Sequence, residues 1–196
     1  MEQILNDKKS LRAAMKTRRT ALSLQEAEDA SRKAQEALLA SDLWHNATRI
    51  ALYAAARGET DTSLLLAQAL VQHKAVFFPR VRSGARGLMD FVQIASPQDL
   101  TEGAFGIKAP RLDLPGLSAG HFACDLAVIP GLAFSSRGQR LGFGGGFYDR
   151  FFTDSPVHIR VGFCYSFQIV TALQTDPWDV TMTHLCSDSG LVAAAP

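Results

Sequence analysis

Cysteine is scarce: Cys124, Cys164 and Cys186 are the three in a chain of 196 residues. An odd number, far apart in sequence and set among apolar neighbours, argues against a disulfide framework. It fits reduced thiols in a cytosol, buried as small hydrophobes rather than used as nucleophiles. Long apolar runs are missing too, since none approaches the roughly 20 residues that a membrane helix needs. The opening residues, MEQILNDKKSLRAAMKTRR, carry charges throughout and hold no uninterrupted apolar stretch of the kind a secretory signal has. A soluble, cytoplasmic protein is expected. Net charge is also nearly absent: 20 Lys and Arg against 19 Asp and Glu leave +1. No global positive field draws the chain to nucleic acid or to a membrane surface, so any anion must be captured locally. There is no internal repeat and no low-complexity tract. The five histidines are scattered, without zinc spacing and without a recognisable Ser-His-Asp triad.

What is present is the material of one globular core. Composition is 47% hydrophobic and 20% charged, enough for a single domain over residues 1–196. From Asp7 to about Ala21, Leu11, Ala14, Met15 and Leu22 recur at helical spacing while Lys8, Arg12, Lys16 and Arg19 crowd another side, which predicts a basic amphipathic helix. Ser23 followed by Glu26 is a capping box, and Ala27, Ala30, Ala34, Ala37 and Leu38 carry a second helical stripe toward Trp44. Short apolar runs then begin at Arg49, Ala75, Leu88, Asp125 (DLAVIPGLAF) and Ile159, with TSLLLAQALVQHK resuming helical spacing after the first. Strands alternating with helices predict an α/β fold, a largely parallel sheet of about five to seven strands with helices packed on it. The middle, SPQDLTEGAFGIKAPRLDLPGLSAG, is rich in Gly and Pro and reads as a long surface excursion of the kind that is often functional.

RGQRLGFGGGFYDRFF, Arg137 to Phe152, sets four glycines between arginines and a helix-like segment. A strand, a glycine-rich loop and a helix starting near Phe147 bring backbone N–H groups to one point, which suits phosphate, and Arg140 adds a permanent charge. Asp149 is placed to hold a hard cation beside such a phosphate. The plainer alternative is a tight strand-to-helix turn. The loop has neither the Lys-Ser/Thr of a P-loop nor dinucleotide spacing.

RLGFGGGFYDRF resembles the signature R-L-G-(Y/R)-G-(G/K)-G-Y-Y-D-R of the 5-formyltetrahydrofolate cyclo-ligases, also called 5,10-methenyltetrahydrofolate synthetases. The likeness covers most of the chain: KKSLRAAMKTRR matches the family's K-x-x-L-R helix, GETDT its acidic turn and FFPRV its Pro-Arg strand end. DLAVIPGLAFSSRGQRLGFGGGFYDR follows in full, with Asp179 in the place of a late aspartate. The resemblance implies a fold like that of ribose-phosphate isomerase and glucosamine-phosphate deaminase, three layers with a sheet between helices. It also implies conversion of 5-formyltetrahydrofolate to 5,10-methenyltetrahydrofolate with ATP as co-substrate and Mg²⁺ as cofactor. A monomer is expected, and the near-zero net charge argues against nucleic-acid or membrane partners. A formyl amide oxygen leaves poorly, so it is phosphorylated before N10 closes the ring, a transfer that needs positioning and charge neutralisation rather than a protein nucleophile.

Carried over by position, Lys8, Arg12, Arg140, Leu141, Gly142, Phe143, Gly144, Gly145, Gly146, Phe147 and Tyr148 are expected on ATP. Ala54, Glu59, Phe147 and Tyr148 are expected on the folate, Asp149 and Asp179 on the metal, and Arg140, Tyr148 and Asp149 in the chemistry itself. Each has a plain alternative: a solvated basic face for Lys8 and Arg12, a turn residue for Glu59, a surface turn for Asp179. The sequence departs from the pattern at Phe143 and Phe147, where tyrosines are usual, at Ala109, where a glutamate is common, and at Ser187 and Asp188, which replace Thr-Glu. A folate- or nucleotide-binding protein of the same fold without turnover is the competing class.

Overall fold

The three cysteines are buried, as expected, and burial pushes the thiols of Cys124 and Cys186 up to about 12. Neutral and enclosed, they pack as apolar groups. The computed structural model describes residues 7–82, 84, 85, 87–103, 106–155 and 157–195. Met1 to Asn6, read above as part of a charged N-terminus, and Ala104 and Phe105 of the middle excursion lie outside the described residues.

The described residues form five α-helices: α1 (Lys8–Thr20), α2 (Leu24–Leu39), α3 (Asp42–Asn46), α4 (Ser63–Val71) and α5 (Phe147–Thr153). Asp7 caps α1 by accepting from the backbone N–H groups of Lys9 and Ser10. The Ser23/Glu26 capping box forms in both directions at α2. The stripe toward Trp44 is broken after Leu39, because Ser41 accepts from the N–H of Trp44 and so starts α3 as a separate turn. Ser23→Ala should cost about 1 kcal/mol of stability, read as a lower urea midpoint at unchanged slope.

The strands are β1 (Arg49–Ala51), β2 (Ala75–Val81), β3 (Met89–Ile94), β4 (Leu100–Glu102), β5 (Lys108–Pro110), β6 (Gly116–Leu117), β7 (Leu126–Pro130), β8 (Ala133–Ser135), β9 (Arg140–Leu141), β10 (Ile159–Phe163), β11 (Ile169–Val170), β12 (His184–Ser187) and β13 (Gly190–Ala193). Eight of them make the main sheet in the order β13-β12-β10-β7-β1-β2-β3-β6. The run from β12 to β2 is parallel, and the antiparallel partners β13, β3 and β6 lie outside it. The sheet exceeds the expected size because β6, β12 and β13 are two to four residues long, too short to announce themselves by pattern.

Alternation along the strands sends residues to two cores. Ile50, Leu52, Val76, Phe78, Leu126, Val128 and Val161 meet Ala34 and Leu38 of α2 and Leu65 and Ala69 of α4. Ala51, Phe77, Phe91, Ala127 and Ile129 meet Phe151 and Phe152 of α5 on the other face. The protein is therefore a mixed α/β fold with helices on both sides of a large sheet. Among the described residues no helix is long and apolar enough to cross a membrane.

Two details place the site. β1 pairs in parallel with β2 on one side and with β7 on the other, so the chain order reverses across β1 and a crevice opens beyond the carboxyl ends of these strands. The DLAVIPGLAF run, expected as one strand, instead breaks at Gly131, where a side chain would collide with the ring of Phe134. It becomes β7 and then β8, which hairpins with β9 in a small second sheet. That hairpin carries the glycine stretch back beside the carboxyl end of β7, where Arg140 Nη1 lies 3.5 Å from the Pro130 carbonyl oxygen.

Candidate active site

The crevice is a cleft of about 960 Å³. Every residue expected at the site lines it: Lys8 and Arg12 from α1, Ala54 and Glu59 after β1, the stretch from Arg140 to Asp149, and Asp179. Residues without an expectation line it too, among them Arg57, Arg80, Glu102, Lys108, Arg150, Asp176 and Trp178. Of these only Arg80 and Arg150 fall inside the matched motifs. The others sit in turns or in the middle excursion, where no periodic pattern marks them.

The glycine loop is built to present N–H groups. Gly144 and Gly146 have φ of 100° and 63°, values that side-chain-bearing residues rarely adopt. Arg12 Nε donates to the Gly142 carbonyl at 2.9 Å, Arg150 Nη2 donates to that of Gly145, and Arg150 N donates to that of Gly146 at 3.1 Å. The carbonyls are thus tied back by arginines, while among the described residues no backbone N–H from Gly142 to Gly146 has a hydrogen-bond partner. Such a concavity of free donors ringed by cations suits an anion.

Beneath the loop Arg140, whose side chain is only 6% exposed, bridges to Asp149 at 2.7 Å from Nη2 to Oδ1. Its guanidinium lies 5.4 Å from the centroid of the Tyr148 ring, and its buried Nε has no partner among the described residues. Asp149 Oδ1 also accepts from the N–H of Val180 at 3.3 Å, which draws the segment carrying Asp179 against α5. Lys8 Nζ lies 2.6 Å from Asp176 Oδ2 and 3.5 Å from Asp179 Oδ2. The hydrogen bond to Asp176 raises the Lys8 pKa, so the ammonium is secure at neutral pH. Asp149 and Asp179 each have one oxygen engaged and the other without a partner among the described residues. An unengaged carboxylate oxygen is the kind of ligand that a hard divalent cation takes beside phosphate.

Across the cleft, the Glu59 carboxylate accepts from the Ala56 N–H at 3.1 Å. Burial raises its pKa from the ordinary glutamate value, partly opposed by Arg19. Tyr148 is half-buried, and its phenol is pushed up by burial and by the nearby Glu59 charge, so it stays protonated and able to donate. Phe143, exposed at the loop tip, is ringed by Lys16, Arg19 and Arg57, whose charged atoms lie 5.3, 5.7 and 6.0 Å from the ring centroid. The face that lost a hydroxyl relative to the family pattern is therefore held by cations. Ala109 also lines the cleft. Ser187 and Asp188 do not: Asp188 accepts from the N–H and hydroxyl of Ser166 at 2.6 and 2.8 Å, a structural role at the end of β12.

Residues 4–188 match the model of the 5-formyltetrahydrofolate cyclo-ligase family. The chain belongs to that family. A 5-formyltetrahydrofolate cyclo-ligase of Haemophilus influenzae is 33% identical over 138 residues, which cover 69% of this chain and 73% of that protein. A probable 5-formyltetrahydrofolate cyclo-ligase of Caenorhabditis elegans is 29% identical, covering 94% of each chain. The solved structure of Aquifex aeolicus 5,10-methenyltetrahydrofolate synthetase superposes with a TM-score of 0.83 at 30% identity, covering 96% of this chain and 93% of that one. Membership in a family of cyclo-ligases makes ATP a fitting co-substrate for the anion-binding loop.

Proposed function

We propose that the cleft closes 5-formyltetrahydrofolate to 5,10-methenyltetrahydrofolate with consumption of ATP and release of ADP and phosphate. The observation that carries this reading is that a phosphate-suited loop and a half-buried carboxylate suited to a pterin open on one cleft, which Arg140, Tyr148 and Asp149 also line. In this reading the free N–H groups of the loop, Lys8 and Arg12 hold the polyphosphate. Ala54, Glu59 and the aromatic pair Phe147 and Tyr148 hold the folate. The γ-phosphoryl group passes to the formyl oxygen, N10 attacks the formyl carbon and gives up its proton to solvent, and the C–O bond breaks with phosphate as leaving group. Arg140 stabilises charge on the moving phosphoryl oxygens, and no side chain forms a covalent bond. Asp149 and Asp179 would hold Mg²⁺ through their unengaged oxygens, and the ion would neutralise phosphate charge. We place the arrangement of layers with the ribose-phosphate isomerase and glucosamine-phosphate deaminase group.

The test is the near-ultraviolet absorbance of the methenyl product, followed with purified protein and 5-formyltetrahydrofolate, with ATP and Mg²⁺ present or omitted. Absorbance growing only with both reagents supports the reading; tight folate or nucleotide binding without it favours a non-catalytic binder. A pH dependence follows from Glu59. Its folded pKa is raised, so it takes up a proton while other carboxylates are still ionised, and hydrogen bonds from pterin N–H groups are then lost. The KM for folate should rise as pH falls through the raised pKa of Glu59, and Glu59→Gln should abolish that limb. The same raised pKa means that folding is favoured by the protonated form and that this contribution is lost as pH rises through the folded pKa. Glu59→Gln should therefore not lower the melting temperature at neutral pH.

A further inference from the structure

Arg19 belongs by sequence to the basic face of α1, yet it is 3% exposed. Its guanidinium reaches into the turn that follows β1. Nε donates to the Gly58 carbonyl at 3.1 Å, and Nη2 donates to those of Ala56 at 3.2 Å and Arg57 at 2.5 Å. Three consecutive carbonyls can converge on one cation because Arg57 and Gly58 both adopt positive φ, 52° and 72°. The same turn is closed by Glu59 N donating to the Ala56 carbonyl at 3.0 Å and by the Glu59 carboxylate accepting from Ala56 N at 3.1 Å. Two turns earlier on the same helix, Arg12 holds the Gly142 carbonyl of the glycine loop. The helix therefore grips both walls of the cleft, one with each arginine.

We propose that Arg19 is a positioning residue for the folate-side wall, fixing the Ala54–Glu59 turn so that the Glu59 carboxylate is presented to the pterin. The guanidinium fork is what the geometry requires. Its planar donors match carbonyls spread over three residues, whereas an ammonium is a point charge and the backbone at Arg57 is a conformation that relaxes once released. All hydrogen bonds of the Arg19 guanidinium go to the folate-side turn; its one approach to the glycine loop is the face of Phe143 at 5.7 Å, shared with Lys16 and Arg57, so the larger effect falls on the folate. The inference rests on the folate-side reading of Glu59.

The experiment is steady-state kinetics with both substrates varied, on Arg19→Lys, Arg19→Gln, Glu59→Gln and the double variant Arg19→Lys/Glu59→Gln, with melting followed by circular dichroism. Arg19→Gln removes the buried charge while keeping an amide donor, and it carries the test if Arg19→Lys does not fold. The expected result is a KM for 5-formyltetrahydrofolate raised about tenfold by either Arg19 variant, with the KM for ATP within twofold of the parental value. In the double variant the added effect of the Arg19 change should be small, because its route to the substrate is already cut. If Glu59→Gln raises the folate KM and the Arg19 variants do not, or raise both KM values alike, Arg19 is only structural and the proposal is overturned. If Glu59→Gln leaves the folate KM unchanged, the folate-side reading itself has failed and the proposal goes with it.

Discussion

Replacing Arg140 by lysine should lower kcat/KM by about two to three orders of magnitude while leaving the fold intact. The guanidinium lies at the floor of the cleft between the carboxyl end of β7 and the start of α5, with donors facing Asp149, the Pro130 carbonyl and the loop. A lysine ammonium reaching from the same backbone retains one of these directions and loses the planar spread. It must then choose between pairing Asp149 and meeting a phosphoryl oxygen. Each charge-assisted contact is worth roughly 1.5 to 3 kcal/mol, and the half-buried Asp149 left without its partner adds its own penalty, so a total near 3 to 4 kcal/mol is expected. The measurement is kcat/KM at saturating Mg²⁺ with circular dichroism as the folding control. A lysine variant within threefold of the parent would remove Arg140 from the reaction.

The elements that the sequence announces are those with strong local chemistry. Asp7 and Ser23 cap α1 and α2 where side-chain acceptors stand before a helical stripe, and the apolar runs at Ala75 and Ile159 become β2 and β10 because their residues alternate between two covered faces. What escaped pattern depends on contacts distant in the chain. β12 pairs with β10, β13 pairs with β12, and α2 packs over both. The split of β7 from β8 follows from the tight meeting of Gly131 with Phe134, which composition alone does not display.

The site divides along the same line. The glycine loop was legible because backbone geometry demands residues without side chains at fixed places, and Gly144 and Gly146 meet that demand. Arg19 was not, because helical periodicity puts it with Lys16 and Arg12 on a charged side, and only the turn folded against α1 makes it interior. Asp176 and Trp178 lie in an irregular segment whose position is set by Lys8 and by the Asp149 contact to Val180. No spacing rule encodes a contact between residues 168 positions apart.

Asp149→Asn should lower turnover by about two to three orders of magnitude, and unlike the Arg140 change its deficit should respond to metal. The substitution keeps side-chain volume and hydrogen-bonding capacity, so the contacts to Arg140 and to the Val180 N–H can persist in weakened form and the fold should survive. What it loses is the negative charge that would fix Mg²⁺ against the transferring phosphoryl group, a loss of ~3 to 4 kcal/mol in transition-state stabilisation. Raising Mg²⁺ should recover part of the rate, because mass action refills a weakened site. Gly145→Val provides the contrast. A side chain there would stand 2.8 Å from the ring of Phe147, so the loop or the ring must move and phosphate is excluded by shape, a defect that no concentration of metal repairs. The measurement is kcat against Mg²⁺ concentration for both variants. An Asp149→Asn protein that turns over near the parental rate across the range would refute the metal assignment, and a Gly145→Val protein rescued by Mg²⁺ would mean that the loop does not hold the phosphates.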